Sequence, residues 1–147
     1  MQTKIRDMKK YRNALAFLSI VILSGLLFSF VTIQDKKDGG PWTIPEKFQN
    51  MENTYKDDAS LIKVGKILYL KHCRSCHGSK GDGDGPKAAS LKTKMNPLKD
   101  AKVQSQSDGI LYFQSFIGRD EMPNYEKKIP SKKDQWAVIN YMRTFKK

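Results

Sequence analysis

Cysteine and histidine are scarce in this chain of 147 residues, with two of each. A structural zinc site takes four ligands of these kinds, so it would need every one of them, including His72 directly ahead of Cys73. Strand-like alternation is missing too, and no internal repeat occurs. Without a βαβ pattern, a cysteine pair does not read as a thioredoxin-like redox couple. The glycine-rich stretch at 78–85 (GSKGDGDG) is not followed by Gly-Lys-Ser/Thr, which excludes a phosphate loop. Pro86 and Lys87 stand where a calcium loop wants Asp or Asn and then Gly, so turn chemistry accounts for this stretch. No nucleic-acid motif is present, and the lysines are scattered rather than gathered on one helix. Charge is absent from residues 14–33.

What the chain does have is Cys73-Arg74-Ser75-Cys76-His77, holding both cysteines and one histidine. C-x-x-C-H reads as a site of covalent c-type haem attachment. Each thiol adds to one vinyl group. Two intervening residues let a single tight turn present both sulfurs to the edge of a flat macrocycle. The next residue then lies under the ring, where the His77 imidazole can bind iron as the proximal ligand. A structural disulfide and half a zinc site are the rival uses of the pair.

The formal charge is +12. Lys4, Arg6, Lys9, Lys10 and Arg12 make a basic leader relieved only by Asp7, which leaves 22 basic and 14 acidic side chains in residues 34–147. The uncharged twenty residues after the leader, ALAFLSIVILSGLLFSFVTI, would form a helix about 30 Å long, the thickness of a bilayer core. The positive-inside rule puts the leader in the cytoplasm and residues 34–147 outside it. A cleaved secretory signal is the competing reading, but Ser24, Gly25 and Ser29 form no A-x-A-like cut site. The division expected is therefore 1–33 leader and transmembrane signal anchor, 34–58 tether, 59–147 haem domain. Gly39-Gly40-Pro41 and Pro45 break the tether, which as coil would span roughly 25–30 Å. Trp42 fits either a headgroup belt or, with Ile44 and Phe48, packing onto the domain.

The soluble part reads as mostly helical. Leu61, Val64 and Leu68 recur at helical spacing over 59–73, with Asp57, Asp58 and Ser60 as N-terminal caps. Gly65 costs about 1 kcal/mol against Ala in that helix, which makes sense where another helix crosses closely. A short helix is expected over 86–94. Another runs over 107–117, from a Ser107 or Asp108 cap to a stop at Gly118. A last one opens at Ser131, with Asp134 at capping-box spacing and Trp136, Ile139, Met142 and Phe145 on one stripe. A domain under 100 residues buries only roughly 60% of its unfolded surface, so a held haem would be part of the core.

From Ala59 to Phe145 the chain resembles the class I c-type cytochrome domain, an all-α fold around one covalent haem c. The motifs come in family order: Gly65 and Tyr69, Cys73-x-x-Cys76-His77, the glycine loop ending in Pro86, Gly118 before Met122-Pro123, and a final helix with Tyr141. The resemblance implies that Cys73 and Cys76 hold the haem and that His77 and Met122 are the axial iron ligands. It also implies that the first and last helices cross at Gly65, near Val138 and Tyr141. The Pro86 carbonyl would accept a hydrogen bond from the far nitrogen of His77 and fix its tautomer. Residues 92–106 carry nothing over.

Six methionines are present. Met1 and Met8 belong to the leader, Met51 to the tether and Met142 to an apolar helix face. Met95 and Met122 both lie in irregular segments, and Met122 has the flanking Gly118 and Pro123. With His/Met ligation the expected function is single-electron transfer by a membrane-anchored carrier, not an enzyme, with no small-molecule substrate. A haem subunit of a larger respiratory oxidase or reductase is the alternative, and a haem sensor or peroxidase a third. The implied partners are redox proteins of a membrane chain with an acidic docking face, met by Lys127, Lys128, Lys132 and Lys133. The implied place is the outer, periplasmic side of a bacterial cytoplasmic membrane.

Overall fold

The structure, a computed structural model, describes residues 36–146. The basic leader and the uncharged run at 14–33, read as a transmembrane helix, lie outside the described residues. Among the described residues no helix is long and apolar enough to cross a membrane.

Six α-helical segments follow one another in the described part: α1 (Glu46–Gln49), α2 (Leu61–His72), α3 (Arg74–His77), α4 (Ala101–Gln104), α5 (Asp108–Tyr112) and α6 (Lys132–Arg143). Strand structure among the described residues is limited to two isolated bridges, Lys37 with Thr93 and Arg119 with Met122. The all-α expectation therefore describes this domain.

The two longest helices, α2 and α6, cross where α2 has no side chain. A Cβ on Gly65 would lie 1.9 Å from the Ala137 carbonyl oxygen and 2.9 Å from Tyr141 Cβ. This is the crossing the resemblance implied, and it repays the helical cost of glycine with backbone-to-backbone approach. Tyr69, one turn on and fully buried, packs against Tyr141 at 5.4 Å and Phe145 at 5.3 Å between ring centroids. Leu111, Tyr112, Phe116, Trp136, Val138 and Ile139 complete the centre of the core.

Ser107 caps α5 by accepting from Ile110 N at 3.3 Å, and Ser131 caps α6 by accepting from Asp134 N at 3.3 Å. At α2 the cap differs from expectation. Ser60 makes no capping bond; the Asp58 carboxylate instead accepts from Ser60 N at 3.0 Å and from its hydroxyl. The helix expected over 86–94 is only a 3₁₀ turn, Ala88–Ser90. The helix over 107–117 changes winding halfway. Phe113–Ile117 forms a π turn closed by Gly118 N donating to Phe113 O at 3.1 Å. Such wide turns are rare and often accompany functional sites.

The segment read as a tether is corrected over most of its length. Phe48 is a core residue, with Ile44, Met51 and Tyr55 packed against the same cluster. Gly109 makes room for it, since a Cβ there would lie 2.1 Å from Phe48 O. Buried polar groups fasten the rest. Asn53 donates to Asn140 Oδ1 at 2.7 Å and to Asp108 Oδ2 at 2.9 Å, and Asn140 returns a bond to Tyr55 O at 2.7 Å. Arg143 ties the same Asp108 to the carbonyls of Gln104 and Gln106. Trp42 also packs on the domain, edge-on to Phe113 at 6.2 Å. A domain this small completes its core with the flanking residues at hand. Phe48→Ala is expected to lower unfolding stability by about 3 kcal/mol in a denaturant titration; an unchanged midpoint would mean a loose tether after all.

Candidate functional site

α2 ends at His72, and Cys73 starts a second, one-turn helix that contains Cys76 and His77. Cys73 N donates to Tyr69 O at 2.8 Å, so the cysteine turn grows directly from the helix that crosses α6. Cys76 N and His77 N both donate back to Cys73 O, at 3.2 and 3.0 Å. One turn thus carries two half-buried free thiols and an imidazole in succession.

The glycine loop wraps this turn through backbone bonds. Gly83 N donates to His77 O at 2.9 Å, Gly85 N to Cys76 O at 3.2 Å and Lys87 N to Ser75 O at 2.8 Å. Only glycine permits the approach at position 85, where a Cβ would lie 2.5 Å from the carbonyl oxygens of Arg74 and Ser75. The Tyr69 hydroxyl donates to Gly78 O at 2.8 Å, so the crossing helix braces the start of the loop.

Burial sets the chemistry of these groups. It pushes the Cys73 thiol up to about 12, with the neighbouring Cys76 adding to the rise. A thiol held protonated is a poor partner for disulfide exchange, which relies on a lowered pKa. Burial also pushes the His77 imidazole down to about 4 from 6.5. At neutral pH the ring is uncharged and keeps a nitrogen lone pair, the form that binds metal.

The expected bond from the far nitrogen of His77 to the Pro86 carbonyl is not made in this structure. His77 Nδ1 is buried with no hydrogen-bond partner. Gly85 N and Lys87 N, on either side of Pro86, donate to the carbonyls of Cys76 and Ser75, which fixes this corner on the turn's backbone. Two free thiols at this spacing and a neutral imidazole beside them are a donor set that fits a covalently attached haem. Among the described residues no three His, Cys, Asp or Glu side chains converge to hold an ion. His72 packs edge-on against Tyr125 at 6.1 Å, its own imidazole lowered first by burial and then by Lys71 and Lys128.

Met122 sits half-buried in a tight turn, its N–H donating to Arg119 O at 2.8 Å. The turn depends on two left-handed residues, Gly118 at φ 72° and Asp120 at φ 48°. A Cβ on Gly118 would lie 2.1 Å from Met122 O. The chain returns at Tyr125, whose N–H donates to Phe116 O at 2.9 Å. The Tyr125 hydroxyl then donates to His72 O at 3.1 Å. Burial raises its phenol, and proximity to Cys73 and Cys76 raises it further. The loop bearing Met122 is therefore fastened beside the cysteine turn. Met95 belongs elsewhere: a Cβ on Gly83 would lie 2.8 Å from Met95 O, so this methionine's backbone packs on the loop that follows His77.

Of the four lysines after Met122, Lys132 bonds the Tyr112 hydroxyl and Lys133 lies 3.9 Å from an Asp58 oxygen. Lys128 rests over the Tyr125 ring at 4.8 Å. Tyr125, Arg119 and Glu121 escaped the sequence reading. They lie in an irregular segment where no periodicity marks which side chains turn inward.

Residues 62–146 match the family model described as Cytochrome c. No curated protein matches the sequence significantly. Gly85→Ala is expected to lower stability by about 2 kcal/mol, because the added methyl meets backbone that has no rotamer to change. Chemical denaturation reads this, and an unchanged midpoint would contradict the close suture.

Proposed function

The chain belongs to the cytochrome c family, a family of haem-based electron carriers, and on that premise we propose that Cys73 and Cys76 hold its one covalent haem c while His77 and Met122 bind the iron. The observation that carries this reading is the cysteine turn itself, with two free thiols and, next to the second, an imidazole kept neutral by burial. When bound, the haem supplies a one-electron Fe(II)/Fe(III) couple. His77 and Met122 would both hold the iron, so that little would rearrange as the charge changes and no position would be left for a substrate. A methionine thioether opposite histidine favours the reduced iron and raises the potential. The fastening of 117–124 beside the cysteine turn by Tyr125 supports Met122 in that role. Met122 is favoured over Met95, whose backbone packs on the glycine loop that continues from His77 itself, whereas Met122 would reach the iron from a separate segment.

The carrier is anchored by residues 14–33 in a bacterial cytoplasmic membrane, with its haem domain on the outer side. The support is the uncharged run of twenty residues behind a basic leader. Its partners are redox proteins of a membrane chain that present an acidic face, which suits the excess of basic over acidic side chains in residues 34–147.

Ferric protein is expected to show the far-red absorption band of iron–thioether bonding. Met122→Ala should abolish that band and Met95→Ala should keep it. A band surviving in Met122→Ala would assign the ligand elsewhere. After a carbonate wash the protein should stay with the membrane pellet; release into the supernatant would refute an uncleaved anchor.

A further inference from the structure

The extended segment at 36–42 runs over the loops that surround the Met122 turn and bonds to them repeatedly. Lys37 pairs with Thr93, and Lys94 N donates to Lys37 O at 3.0 Å. The Lys36 ammonium bonds Ala88 O. Farther on, the Arg119 guanidinium donates to Pro41 O at 2.7 Å and to Gly40 O. The same guanidinium lies 4.2 Å from the centre of the Trp42 ring, and Trp42 rests in turn on Phe113. Asp120 is 3.6 Å from Arg119 Nε, which leaves both terminal nitrogens to the segment's carbonyls.

Two residues later, the Glu121 carboxylate accepts from Lys92 N at 3.0 Å and from Thr93 N at 2.8 Å. Thr93 is the residue paired with Lys37. The turn leading into Met122 is therefore held twice, by Arg119 directly to the 36–42 segment and by Glu121 to a stretch that the same segment pairs with. Between these two holds sits Asp120 at φ 48°, a left-handed conformation that aspartate adopts more readily than most residues but less readily than glycine. An irregular, mostly exposed turn opens locally unless its surroundings oppose it. Forked guanidinium bonds and a carboxylate accepting two backbone N–H groups are the stronger kind of hydrogen bond.

We propose that residues 36–42 form a strap that holds the Met122 turn closed, with Arg119 and Glu121 as positioning residues for the sixth iron ligand. This rests on the Met122 assignment. The strap then governs how readily the methionine leaves the iron and lets an outside ligand in. It acts through the position of the thioether, since none of its side chains need touch the iron.

The test is a titration of the full-length, haem-loaded ferric protein with imidazole, followed through loss of the far-red band. An outside ligand binds only molecules whose turn has opened, so its apparent affinity scales with the open fraction. Arg119→Gln is expected to raise imidazole affinity about tenfold, the effect of losing charged hydrogen bonds. Trp42→Leu and Glu121→Gln should act in the same direction, and Arg119→Lys, which keeps the charge without the fork, should fall between. Should Arg119→Gln fail to accumulate with haem, Trp42→Leu decides. An affinity within about twofold of the unmodified protein, with the band present, would overturn the strap even if the unfolding midpoint fell, because that pattern marks a merely structural role. Absence of the band from the unmodified ferric protein would overturn the Met122 assignment, and the strap with it.

Discussion

The crossing of α2 and α6 at Gly65 is the contact on which the remaining geometry depends. Backbone meets backbone there, with the Ala137 carbonyl occupying the place of a side chain. Tyr69 lies one turn beyond the crossing, wedged against Tyr141 and Phe145 on one side and bonded to Gly78 on the other. The cysteine turn is the direct continuation of that helix, so its direction is set by how closely α6 can approach. A larger residue at position 65 would tilt the cysteine turn away from the glycine loop that sutures it.

Around the cysteine turn the fold combines two kinds of support. On the His77 side the contacts are backbone to backbone, close and dependent on glycine. On the Met122 side they are longer-range and made by side chains: Tyr125 to His72, Glu121 to Thr93, Arg119 to the segment at 36–42. That asymmetry suits a site in which one ligand is the neighbour of a covalent attachment and the other arrives from a distant loop.

Much of this was legible in the sequence, for definite reasons. The cysteine turn as a single helical turn, the caps at Ser107 and Ser131 and the role of Gly65 each follow from chemistry confined to a few neighbouring residues. The misreadings share the opposite property. Residues 36–58 look like a tether because Gly39, Gly40, Pro41 and Pro45 break regular structure, yet Phe48 and Asn53 find partners more than fifty residues away. The π turn at Phe113–Ile117 could not be told from an α-helix by apolar spacing, since its apolar residues serve either winding.

The central claim is that this chain carries one haem bound through both cysteines. Mass spectrometry of the protein purified from a host able to attach haem outside the cytoplasm tests it most directly. The account predicts a mass increase of one haem that survives acidic organic extraction, with peptide mapping placing its two bonds on Cys73 and Cys76. A haem removed by that extraction, or Cys73 and Cys76 found joined to each other in a disulfide, would contradict it.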